Sequence, residues 1–209
     1  MSQIPTIECK PNGPYLVTGL SDLRSSSGNS IPTRAVVALC RCGGSANKPF
    51  CDGTHQRNGF SGARLSEGGG ERADYRASGI TIHDDRSICA HAGYCTDGLA
   101  AVFKYGSEPW IDPAGAGVQA IVETIRRCPS GALSYTLDRP EAPQPPAAPG
   151  ISIIKDGPYA VAGGIGLVDA ATGRKSAAPR YTLCRCGASK NKPFCDGSHW
   201  NVGFKDERN

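Results

Sequence analysis

CRCGASKNKPFCDGSH, residues 184–199, gathers three cysteines and one histidine within sixteen residues. The same string recurs with small changes at 40–55 as CRCGGSANKPFCDGTH, so Cys40, Cys42, Cys51 and His55 stand against Cys184, Cys186, Cys195 and His199. Each pair is offset by 144 positions, 184 against 40, and the offset extends beyond the cysteines. NGPYLVTG (12–19) matches DGPYAVAG (156–163) upstream, and Gly59-Phe60 matches Gly203-Phe204 downstream. An ungapped match of this length means two copies of one unit. It also sorts the remaining candidates: Cys9 falls on Ile153, which removes it from the ligand set, and His83 lies outside both copies.

The rest of the 209-residue chain limits what these copies can be. With 27 glycines, 16 prolines and only 7% aromatic residues, several small modules are expected, and modules this small need metals or disulfides as staples. No apolar run approaches the roughly 18 residues that span a bilayer, and no apolar leader follows Met1, so no membrane association and a cytoplasmic location are expected. In that compartment ten cysteines at tight spacing read as metal-binding thiols. A net charge of +4 without a Lys/Arg run argues against a nucleic-acid partner.

The expected divisions are a first repeat unit at 1–66, a middle module at 74–138, a proline-rich spacer at 139–150 and a second repeat unit at 151–209. SEGGGER (66–72) reads as a flexible joint and RPEAPQPPAAPG (139–150) as a stiff, polyproline-like spacer. YLVTGL, AVVALC, YAVAGG and RYTLC are short β-branched and aromatic runs, which predict a small β unit in each copy. Val118, Ile121, Val122 and Ile125 follow helical spacing, with Asp112-Pro113 expected to start that helix and Arg126-Arg127 to close it.

Two cysteines one residue apart suit a loop aimed at a metal, while Cys51/His55 and Cys195/His199, four apart, share a side of one helical turn. The intervening Asp can accept backbone N–H groups at that turn. Three thiolates and one imidazole fit tetrahedral zinc, and they equally fit a two-iron cluster with two ligands per iron; the compact arc favours iron. The full pattern, Cys-x-Cys-x2-Ser-x3-Pro-x-Cys-Asp-Gly-[Ser/Thr]-His, resembles the CDGSH iron-sulfur domain of mitoNEET-like proteins over about 10–62 and 154–206. The resemblance implies one [2Fe-2S] cluster per copy, held by Cys40, Cys42, Cys51 and His55 and by Cys184, Cys186, Cys195 and His199. It further implies an α+β fold in which the two β-rich units exchange strands, making an intramolecular pseudo-dimer with a β-cradle over the clusters. A one-histidine cluster lies between two-histidine centres and all-cysteine centres, giving a reduction potential of about 0 mV by interpolation, and protonating its imidazole is expected to release the cluster. Lys48, Lys190 and Lys192 in the loops are candidates for steering an acidic redox partner, or simply solvated.

In the middle module Cys89, Ala92, Cys95 and Cys128-Pro129 follow a ferredoxin register in which alanine replaces the second ligand and Leu99 the fourth. The segment resembles a divergent mono-cluster ferredoxin-like domain. Its three cysteines suit a [3Fe-4S] cluster, a [4Fe-4S] cluster completed by His91 or an outside ligand, or no cluster at all. Neither a catalytic triad nor a phosphate loop is visible, so the expected function is electron transfer rather than catalysis. The alternatives are cluster storage or transfer, redox or pH sensing, and a zinc-stapled structural protein. The implied partner is a redox protein or an apo iron-sulfur acceptor, served by a monomeric chain.

Overall fold

The computed structural model describes residues 4–66, 72–139, 141, 145–169, 175–176 and 178–209. It forms two compact units, Met1–Glu67 with Pro146–Asn209, and Gly68–Pro145. The joint expected at 66–72 lies outside the described residues except at its two ends, and so do positions 140 and 142–144 of the spacer.

In chain order the strands and helices are β1 (Thr6–Cys9), β2 (Tyr15–Thr18), β3 (Leu23–Arg24) and β4 (Val36–Leu39) in the first repeat. β5 (Arg72–Ala77), β6 (Ile80–Asp85), α1 (Tyr94–Gly98), α2 (Val118–Arg126) and β7 (Leu133–Leu137) form the middle. The second repeat holds β8 (Gly150–Ile153), β9 (Tyr159–Ala162), β10 (Gly166–Asp169), β11 (Lys175–Ser176), β12 (Arg180–Leu183) and α3 (Ser198–Asn201). The fold is mixed α+β and mostly sheet, and the four expected strand runs hold β2, β4, β9 and β12.

The second repeat lends β10 and β11 to the first repeat's sheet, and the first lends β3 to the second's. The five-stranded sheet runs β11-β10-β1-β2-β4 and the four-stranded sheet β12-β9-β8-β3. β1 pairs in parallel with β10, Ile7 opposite Leu167, and in the equivalent exchange β8 pairs in parallel with β3, Ile151 opposite Leu23. Alternating burial, as in the exposed-buried pattern of β1 and β2, turns one face of each strand inward. The inward residues of both repeats form one core, with Ile7, Tyr15, Leu39, Ile151, Tyr159 and Leu183 among its members. Neither copy alone encloses that core, so the interlocked strands bury the apolar faces that a single short unit would leave wet. Tyr15 and Tyr159 meet edge to face at its centre, with centroids 6.2 Å apart.

In the middle unit, β5-β6-β7 form an antiparallel sheet whose Ile80, Ile82 and Leu133 share a core with Phe103 and with Ile121 and Ile125 of α2. Helical spacing places the apolar stripe of α2 correctly, but the start differs from expectation. The helix begins at Val118 behind Gly117, while Asp112 serves an earlier turn, accepting from the Ala114 N–H at 3.1 Å and pairing with Lys104 at 2.8 Å. A short polar residue before proline signals either kind of turn, and here the nearby lysine and the Ala114 amide claim the carboxylate first.

Candidate metal centre

The donors of each repeat come from one loop fastened by its own polar residues. Ser45 Oγ donates to Phe50 O at 2.6 Å and accepts from the Asn47 N–H at 3.0 Å; Ser189 does the same with Phe194 O and the Asn191 N–H, at 2.7 and 3.1 Å. Asp52 accepts from the N–H groups of Thr54 and Ala46 at 3.0 and 2.8 Å, and Asp196 from those of Ser198 and Lys190 at the same distances. These bonds tie the two ends of the loop together. They favour the ionised carboxylate: hydrogen bonds, first those of Thr54, hold Asp52 well below the usual range, and the Ser198 bonds lower Asp196 against the opposing effect of burial. Lys48 and Lys192 fold back onto the loop, each Nζ donating to the carbonyl of its serine, Ser45 at 2.7 Å or Ser189 at 2.6 Å. Two of the three loop lysines therefore have a structural task.

The donor atoms lie in pairs. Cys40 Sγ is 3.9 Å from Cys42 Sγ, and Cys51 Sγ is 3.3 Å from His55 Nδ1; in the second copy Cys184 and Cys186 are 3.8 Å apart, and Cys195 is 3.5 Å from His199 Nδ1. A 3-10 turn over Thr54–Gln56 carries His55, and α3 carries His199, so the four-residue spacing acts through a short helical turn as expected. Among the described residues no three Cys, His, Asp or Glu side chains converge on a position for a single ion. Backbone N–H groups already point at sulfur: Gly44 to Cys42, Gly53 to Cys51 and Ala188 to Cys186, each at 3.4 Å. Such donors stabilise thiolates that carry metal charge. Without metal Cys40 and Cys184 hold their protons: burial pushes Cys40 up to about 11, and the Cys186 hydrogen bond followed by burial pushes Cys184 up as well, while the same bond lowers Cys186. Loading these sites therefore releases protons.

Two features absent from the candidate list lock the loops together. Tyr15 donates its hydroxyl to Cys184 O at 2.9 Å and Pro193 O at 3.0 Å, and Tyr159 reciprocates to Cys40 O and Pro49 O, both at 3.0 Å. Each tyrosine of one repeat thus steadies the donor loop of the other. Gly43 and Gly187 sit with positive φ where the loops meet, and a Cβ on either would come within 2.5 or 2.6 Å of the opposite carbonyl, Cys186 O or Cys42 O. The sequence signal was present in both cases, since each tyrosine and each glycine recurs at the repeat offset.

Cys9 lies in the shared core, its thiol pushed up to about 12 by burial. His83 spans Asp74, 2.6 Å from Nδ1, and Thr136, 2.8 Å from Nε2. In the middle unit Cys89 follows a 3-10 turn over Arg86–Ile88, Cys95 lies in α1 and Cys128 follows α2. These three elements bring the thiols within electrostatic reach of one another, and burial raises Cys89 and Cys95. The His91 N–H donates to Cys89 Sγ at 3.4 Å from a left-handed backbone, φ +50°, and its side chain is exposed.

Comparison with known proteins agrees with this division. Residues 12–56 and 156–200 match the family described as iron-binding zinc finger CDGSH type. The chain belongs to the CDGSH iron-binding family. Between its two CDGSH domains, residues 75–138 match the family described as divergent 4Fe-4S mono-cluster, so the protein is an iron-sulfur binding protein. Two curated relatives, both called uncharacterized protein YjdI and coming from Escherichia coli strains K12 and O157:H7, are 39% identical to it over 67 residues, covering 32% of this chain and 87% of theirs. No solved structure matches significantly. No helix among the described residues is long and apolar enough to cross a membrane.

Proposed function

We propose that the CDGSH repeats form an intramolecular pseudo-dimer holding two [2Fe-2S] clusters, one on Cys40, Cys42, Cys51 and His55 and one on Cys184, Cys186, Cys195 and His199, and that the protein carries electrons. The observation that carries this reading is the pairing of donors. A zinc ion needs its four ligands around one point, whereas a two-iron cluster needs two ligands at each end, which is how the thiol–thiol and thiol–imidazole pairs are laid out. The N–H groups already aimed at sulfur fit the same donor set. Bound there, each cluster supplies a one-electron couple. Three thiolates leave an oxidised cluster at −1 where four would leave it at −2, which eases the arrival of an electron. The chain's contribution is to hold the loop with Asp52 or Asp196, brace it with the opposite tyrosine and place hydrogen-bond donors at the sulfurs.

Cys89, Cys95 and Cys128 hold the cluster of the middle domain, a [3Fe-4S] or a [4Fe-4S] unit. The partner is a redox protein, and the chain acts as a cytoplasmic monomer. A second reading, cluster transfer to an apo acceptor or pH sensing, rests on the partial exposure of His55, which lets protons reach the donor most easily displaced. His55→Cys and His199→Cys together separate the two. On either reading the variant has a lower potential and releases its clusters more slowly in acid. Unchanged donation to an apo-ferredoxin by this variant removes the transfer reading, and a natural-sequence chain that donates its clusters but exchanges no electrons with redox proteins removes the electron-carrier reading.

A further inference from the structure

The two repeats differ in how one buried arginine is compensated. Arg41 and Arg185 stand between the cysteines of their Cys-x-Cys pairs and are 2% and 1% exposed. Both guanidinium groups lie over an aromatic pair, Arg41 over Tyr15 and Phe60, Arg185 over Tyr159 and Phe204. Both donate to the carbonyl of the same turn position, Arg41 to Lys10 O at 3.2 Å and Arg185 to Ile154 O at 3.3 Å. There the likeness ends. Arg185 forms an ion pair through Nη1 with Asp206, which is 3% exposed and also accepts from the Arg208 N–H and from Asn209 Nδ2, and its Nε donates to Gly157 O at 2.8 Å. At the position equivalent to Asp206 the first repeat has Gly62, offering Arg41 only a backbone carbonyl at 3.1 Å. Among the described residues no carboxylate pairs with Arg41, and its buried Nε lacks a hydrogen-bond partner.

Arginine stays charged in a protein interior, so one half keeps a full positive charge where the other keeps a neutralised pair. Burial prevents salt from screening the difference. A positive charge stabilises the more negative, reduced state of a nearby redox centre, and a carboxylate beside it cancels that effect.

We propose that the Arg185–Asp206 pair and the unpaired Arg41 make the two CDGSH centres unequal in reduction potential: the centre of Cys40 and Cys42, flanking Arg41, takes an electron first, and that of Cys184 and Cys186 is the lower-potential member. The inference rests on the two-cluster reading above. It makes the repeats a directional pair, in which an electron entering at the second centre comes to rest on the first.

The test is an EPR-monitored redox titration of the full chain carrying Cys128→Ser, which takes the middle domain's signal out of view, after iron and acid-labile sulfide have been counted. The expected result is two one-electron steps separated at least tenfold in reduction equilibrium, about 59 mV. Cys51→Ser removes the upper step and Cys195→Ser the lower. Asp206→Asn raises the lower step and narrows the gap. Gly62→Asp, whose Cβ would come within 2.8 Å of Arg41 Nη1 at the far end of that side chain, lowers the upper step and leaves the Arg185 pair untouched, so the test survives if Asp206→Asn fails to fold. Coincident steps in a chain with both clusters loaded, an inverted order, or potentials that ignore the charge changes overturn the inference and leave the two-cluster reading standing. A chain without two irons and two sulfides per repeat overturns both.

Discussion

In the paired repeats the four donors of each copy belong to one sixteen-residue loop, whereas in the middle domain Cys89, Cys95 and Cys128 arrive on a 3-10 turn, a short helix and the end of a longer helix. The first arrangement is fastened locally, by Ser45 and Asp52 or by Ser189 and Asp196, and the opposite repeat braces it with a tyrosine and with the close approach of Gly43 and Gly187. In the second each turn has its own bonds, Asp85 to Ser87 before Cys89 and Ser130 to Ala132 after Cys128, but bringing the three cysteines together depends on the packing of α2 against the sheet. A local site fails donor by donor; a distributed one fails with its core.

The largest expected effect breaks the comparison on the local side. Cys40→Ser removes two irons and two sulfides from the first repeat and leaves the second loaded, as metal analysis and visible absorption would record; loss of both clusters would show that the loops are not independently sufficient. On the distributed side, Phe103→Ala empties a fully buried position and costs about 3–5 kcal/mol. The middle domain then loses its cluster with all three cysteines intact, while the repeats keep theirs, a difference that EPR and thermal unfolding can follow together.

Tyr15→Phe sharpens the comparison from within the repeats. It leaves Cys184 O and Pro193 O without the hydroxyl they share, for a loss of about 1–3 kcal/mol in denaturant unfolding. The acid lability of the second cluster should increase, because the clamp acts across the repeats. The smallest effect lies on the outer face of the middle sheet. The His83 hydrogen bond lowers the Asp74 carboxyl below its ordinary value of 3.8, so the contact stabilises the fold above that pH and the stabilisation is lost as acid protonates the carboxylate. Asp74→Asn should lower the thermal midpoint slightly near pH 6 and by progressively less as the pH falls below 3.8; a shift that does not shrink in acid would assign the effect to something other than ionisation.

What the sequence revealed follows the same division. The ligand loops were legible because the chemistry is contiguous and written twice, and the strands flanking them because β-branched runs stop at Gly and Pro. The reciprocal pairings β1 with β10 and β3 with β8 were reachable only through family resemblance, since parallel partners far apart in sequence leave no local mark. Tyr15 and Arg41 were visible as repeated residues, but their roles depend on neighbours brought close only by folding: carbonyls of the other repeat's loop for one, and a glycine where the second repeat has Asp206 for the other. Asp112 illustrates the reverse case, where a correct turn signal was attached to the wrong element because Lys104 lies close only in the folded chain.

The central claim, two sulfide-bridged di-iron units held by paired donors, is tested most directly by counting metal and acid-labile sulfide per chain in the Cys128→Ser protein. The account expects four irons, four sulfides and no stoichiometric zinc. One zinc per repeat with no labile sulfide, in protein expressed with ample iron and sulfur, would contradict it.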